Sequence, residues 1–167
     1  MSVEHFTEWF CKNMPPLWDC PKHPIWMIEA VTSVLLYRQG QFQVQMFIVP
    51  GGYVIPEHTH PNVDSIEIFL GGQIRFSHSG KWVRQEGDGF ATLRGTQIRV
   101  KPHDLHGGTF GPDGGVFLSS QEWLNGVAPH CVAADYTGAV MGPHHLAHVV
   151  SGSPVLTEQK VAASLEC

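Results

Sequence analysis

The feature that most constrains this chain is its punctuation. From Trp26 to Trp123, short apolar and β-branched runs are separated by glycine-bearing breaks: Arg38-Gln39-Gly40, Pro50-Gly51-Gly52, Gly71-Gly72, Ser79-Gly80, Gly87-Asp88-Gly89 and Gly107-Gly108. Short strands at this spacing, joined by glycine turns, predict an all-β sandwich or barrel. The clearest strand is Gln41 to Val49. Phe42, Val44, Met46 and Ile48 alternate there with Gln41, Gln43 and Gln45, which predicts a hairpin strand with one buried face. Ser65 to Leu70 reads as a strand ended by Gly71-Gly72. Gln73 to Ser77 and Lys81 to Gln85 form a hairpin around Ser79-Gly80, and Gln97 to Lys101 and Val116 to Trp123 are further strands. Gly107-Gly108 and the stretch from Gly111 to Gly115 read as loop.

The ends of the chain differ from its middle. Ser2 to Asn13 predicts a short amphipathic helix, with Ser2 as cap, Phe6, Trp9 and Phe10 on one face, and Pro15-Pro16 as its stop. Beyond Leu124 the alternation weakens, and a helix is predicted near Thr157 to Leu165. The expected organisation is an N-terminal helix and extended arm over 1–24, a barrel over 25–125, and a C-terminal extension over 126–167 packed on it.

Composition narrows the function. At 167 residues the chain is one ordinary domain, and 43% hydrophobic against 15% charged residues, with 18 Gly and 12 Pro, fits a turn-rich β protein. A formal net charge of -5 gives no footprint for nucleic acid. The sequence has no run of 18 apolar residues, so no membrane span is expected. Glu4, His5 and Glu8 stand where a signal peptide would carry basic residues. Cys11, Cys20, Cys131 and Cys167 are scattered, so they are expected to be reduced thiols in a cytoplasmic protein.

The chemistry lies among eleven histidines, and spacing selects from them. Positions i and i+2 of a strand face the same side, so His58 and His60 can aim two imidazoles at one point and bind Fe, Zn, Ni, Mn or Cu. Asp64 follows, with Ile66, Ile68 and Leu70 on its face and Ser65, Glu67 and Phe69 on the other. A carboxylate on an apolar, inward face is costly unless paired or metal-bound. Parity therefore favours Asp64 over Glu67 as a further ligand, and puts Glu67 at solvent or an interface.

Taken together, Gly52, His58, His60, Asp64 and Gly71 resemble the first motif of the cupin superfamily: Gly, five residues, His-x-His, three or four residues, Glu, six residues, Gly. Asp64 stands where the family usually has Glu, one methylene shorter. The second motif is matched more loosely. Gly95 and His106 keep its overall spacing, Pro102 sits one place late, His103 replaces its Gly and Phe110 its Asn. The resemblance covers Gln41 to Trp123. It implies a double-stranded β-helix (jelly-roll) barrel holding one divalent transition metal (Fe, Ni, Mn or Zn) on His58, His60, Asp64 and His106, with Asp64 and His106 in catalytic positions. Pairing into a homodimer is in keeping with the family.

A fold of this kind does not fix a reaction. The leading expectation is a metal-dependent enzyme acting on a small organic molecule, of dioxygenase type, in which an apolar interior of Phe42, Met46, Ile66 and Ile68 shields reactive species from water. The alternatives are a non-redox cupin isomerase or lyase, and a non-catalytic small-molecule-binding cupin. Against a lyase, Ile66 stands where the resemblance would place a tyrosine. His103 and Asp104 are read as the turn that presents His106. Strand parity places Arg99 outside. His144 and His148 are spaced as a second metal pair, with no third ligand near.

Overall fold

The computed structural model describes residues 1–18, 25–28, 30–79, 81–83, 89–90, 92–126 and 132–133. The helix predicted near Thr157 to Leu165 and the pair His144 and His148 lie outside the described residues. A helix α1 (Val3–Trp18) precedes strands β1 (Ile25–Ile28), β2 (Val31–Gln39), β3 (Phe42–Val49), β4 (Val54–Thr59), β5 (Val63–His78), β6 (Lys81–Val83), β7 (Gln97–Val100), β8 (His106–Trp123) and β9 (Val132–Ala133). No helix among the described residues is long and apolar enough to cross a membrane.

The helix runs past its expected end at Asn13, through Pro15 and Pro16, to Trp18. Each proline withdraws one donor, leaving the carbonyls of Cys11 and Lys12 unmatched. Both residues are exposed, so water can serve those carbonyls.

Two long strands organise the barrel. β5 and β8 pair antiparallel from Val63 opposite Trp123 to His78 opposite His106, with register shifts around Gly71 and Gly72. The glycines expected to end strands bend them instead. Gly72 (φ +85°) and Gly114 (φ +69°) adopt the left-handed conformation, and a Cβ on Gly72 would collide with the Gly114 carbonyl. The bend divides each long strand between two walls. One wall runs β1-β2-β3, the second half of β8, the first half of β5, then β7. The other runs β9-β4, the first half of β8, the second half of β5, then β6.

The walls meet over aromatic rings. Phe110 stacks on Phe117 with centroids 6.2 Å apart, and Phe69 meets Phe76 edge-on at 5.5 Å. With Phe47, Val49, Ile74, Leu93, Ile98 and Val100 these form the interior core. A second core lies outside the barrel, where Val3, Phe6 and Phe10 of α1 pack on Val44, Ile66, Ile68 and Leu118. Phe6 is fully buried and its ring lies 4.9 Å from that of Phe42. The strands facing α1 are therefore buried on both faces. Ile66, Ile68 and Phe42, expected to line the interior, belong to the outer layer under the helix, and Met46 packs against that layer. Gln43 (3% exposed) and Gln45 (1%), expected at solvent, point inward.

Candidate metal centre

His58 lies on β4, His60 just beyond it, and His106 opens β8 opposite His58. All three are buried. Their ligand nitrogens lie within 4.8 Å of one another. A bulge between Ile55 and His58 sets the local register, and the two-residue strand β9 covers the outer edge by pairing Ala133 with His58.

The hydrogen bonds orient the rings for ligation. His58 Nδ1–H donates to the Pro56 carbonyl at 2.7 Å, and His106 Nδ1–H to the Asp104 carbonyl at 2.9 Å. A carbonyl only accepts, so each Nδ1 must carry the proton and each Nε2 of the neutral ring presents a lone pair. Burial pushes the His106 pKa below its usual value, which keeps that ring neutral. His58 Nε2 stands 3.1 Å from His60 Nε2. Two nitrogens each about 2.1 Å from one ion, about a right angle apart, lie about 3 Å from each other. The donor set and its spacing thus fit a divalent transition metal, held by His58, His60 and His106.

The structure places Asp64 elsewhere. Arg99 Nε donates to Asp64 Oδ1 at 3.0 Å and Arg99 Nη2 to Oδ2 at 2.7 Å, while Arg99 Nη1 pairs with Glu4 of α1. Asp64 shares its face with Ile66 and Ile68, the face beneath the helix, so strand alternation turns it away from the histidines. Among the described residues the group that can hold an ion is His58, His60 and His106, without Asp64. Arg99 is outside, as parity suggested.

Glu67 corrects the same inference from the other side. It is 7% exposed, not at solvent, and points into the barrel with Ser65 and Phe69. Burial pushes its pKa up to about 7, against the lowering effect of hydrogen bonds from Ser65 and Ser119. A sequence signal for this inner face did exist. Gln43-x-Gln45-x-Phe47 and Ser65-x-Glu67-x-Phe69 carry the same pattern of two polar residues and then a phenylalanine.

His78 went unnoticed in the sequence because only pairing reveals it. It sits directly across from His106, and its Nε2 lies 3.0 Å from Asp104 Oδ2. Burial alone would raise the Asp104 carboxyl, but the Lys101 backbone N–H and His78 outweigh it and hold the carboxyl below its usual range. The loop carrying His106 is thereby tied to β5.

With this geometry in hand, solved structures supply the class. The chain is similar to an RmlC-like cupin from Shewanella frigidimarina, at 18% identity over 60% of this chain and 84% of that one, TM-score 0.52. It is similar to KdgF from Halomonas sp., at 14% identity over 60% and 86%, TM-score 0.52. It is also similar to the cupin domain of Cnp3 from Schizosaccharomyces pombe, at 10% identity over 63% and 72%, TM-score 0.51. The chain therefore has the cupin fold, a double-stranded β-helix barrel. No protein-family model and no curated protein matches the sequence.

Proposed function

We propose that this chain is a metal-dependent enzyme of the cupin fold, of dioxygenase type, acting on a small organic molecule. The observation that carries the reading is the convergence of three buried imidazoles, two with Nδ1 protons committed to backbone carbonyls. A divalent transition metal held there would supply a Lewis acid with coordination positions left over for substrate and O₂. The chain's own contribution is to hold the ligands in one tautomer and to bury them from bulk water. The interior beside them is more polar than the sequence suggested, because Gln43, Gln45, Ser65, Glu67, Ser119 and Gln121 line it. That favours a polar substrate over an apolar one.

Elemental analysis of untagged protein purified without chelator tests the reading. The expected result is a near-stoichiometric transition metal, with O₂ uptake by the iron-loaded form on a panel of small polar substrates. Metal without O₂ uptake would move the assignment to a non-redox enzyme. No metal, even after each ion is added back, would overturn it in favour of a binding module.

A further inference from the structure

The inner face of the first wall is a grid set by strand register. Phe47, Phe117 and Phe69 form one row, Gln45, Ser119 and Glu67 the next, and Gln43, Gln121 and Ser65 the third. The phenylalanine row meets the opposite wall through Phe110 and Phe76. Two residues on from Phe117 stands Ser119, and four on stands Gln121; four residues before Phe110 stands His106. Strand alternation keeps all of these on interior faces, so the two polar rows and the histidines rise from opposing walls on the same side of the aromatic layer.

Six buried polar side chains on an inner face demand partners. Gln43 Nε2 donates to Gln45 Oε1 at 2.7 Å and to Gln121 Oε1 at 3.2 Å. Gln121 Nε2 donates to Ser119 Oγ at 3.0 Å and to Gln45 Oε1 at 3.3 Å, and Trp123 Nε1–H to Gln121 Oε1 at 3.0 Å. Both serines turn to the carboxylate, Ser65 Oγ donating to Glu67 Oε1 at 2.8 Å and Ser119 Oγ at 2.9 Å. They use the same oxygen. Glu67 Oε2 is buried and has no hydrogen-bond partner. The network that fixes this carboxylate from one side thus leaves its other oxygen as an acceptor in the barrel that holds the histidines.

We propose that Glu67 is a specificity-determining residue whose Oε2 accepts a hydrogen bond from a hydroxyl or amino group of the ligand. The other end of that ligand follows from the histidines, and this step rests on the metal reading above. Three neutral nitrogens leave the charge of a divalent ion uncompensated, which selects an anionic oxygen donor. The ligand class is a small organic anion carrying a hydroxyl or amino donor away from its anionic end.

The test uses the full chain at about pH 8.5, above the Glu67 pKa of about 7 so that the carboxylate is ionised and Oε2 can only accept, metal-free and zinc-loaded, with side-chain carboxyl carbons of glutamate labelled with ¹³C. Glu67→Gln assigns the resonance. The probes are 3-hydroxypropionate, β-alanine and propionate. The Glu67 signal is expected to move with the first two, whichever donor is preferred, and not with propionate. Zinc-loaded wild type should bind the better donor at least about tenfold more tightly than propionate, and Glu67→Gln should erase that preference while leaving propionate affinity unchanged. A Glu67 resonance that ignores every probe, or follows propionate equally, overturns the proposal. Should Glu67→Gln fail to fold, the resonance is assigned in the wild type as the glutamate carboxyl that titrates at about 7. Failure of zinc to bind counts against the metal reading instead, and the metal-free titration still decides the role of Glu67.

Discussion

His58 Nε2 faces His60 Nε2 across 3.1 Å, and the Nδ1 proton of His58 is bound to the carbonyl of Pro56, two residues back. The strand's own backbone therefore sets the tautomer of a candidate metal ligand. Replacing His58 and His60 together with Ala should abolish metal retention while circular dichroism still reports a folded β protein. Unchanged metal content in the double variant would sink the assignment.

Asp64 gives the complementary experiment. Its carboxylate is held by Arg99 beneath α1, so Asp64→Ala should keep full metal content. Arg99→Ala should lower stability by about 1 kcal/mol or less in urea unfolding, because Arg99 and Glu4 are partly exposed and water screens them. Loss of metal from Asp64→Ala would show that the carboxylate leaves Arg99 to reach the ion.

Phe6 is one of the helix residues that bind α1 to the barrel: it is fully buried against Phe42, with a stacked contact to Tyr37. Phe6→Ala should cost about 3–5 kcal/mol in chemical denaturation. A change below about 1 kcal/mol would mean that α1 is not an integral part of the outer core.

Glu67 makes a pH prediction with a definite sign. Its carboxyl rises from an ordinary 4.5 to about 7 in the folded state. Below 4.5 it is protonated in both states and has no effect. Between the two values the unfolded chain ionises while the folded one holds its proton, so stability falls as pH rises. The full effect is about 3 kcal/mol. The difference in urea midpoint between wild type and Glu67→Gln, followed from pH 4 to pH 8, should show wild type losing ground across that window. A flat difference would contradict it.

Gly72 closes the barrel's corner. Gly72→Ala places a methyl against the Gly114 carbonyl at a positive φ and should prevent soluble folding or destabilise by several kcal/mol, read by thermal unfolding. A variant of normal stability would mean that the bend lies elsewhere.

Strand periodicity, glycine spacing and the His-x-His pair were legible along the chain because they depend on neighbours in sequence. So were the N-terminal helix and the outward Arg99. The error at Asp64 and Glu67 has a single cause. Alternation along β5 separates two faces, but it names the inner one only if the other meets water. Here α1 covers the outer face, so the apolar row Ile66 and Ile68 lies outside and the polar row Ser65 and Glu67 lies inside.

The sequence by itself determined an all-β chain with a candidate metal ligand pair, since a period of two and the i, i+2 geometry of a strand are local properties. Only the tertiary structure decided the rest. Strand register sets His106 beside His58, and Ser119 beside Glu67, while bends at Gly72 and Gly114 fold the two long strands so that these pairs lie in opposing walls. These are pairings between residues tens of positions apart, fixed by register and by which face a helix covers, and no local pattern encodes either.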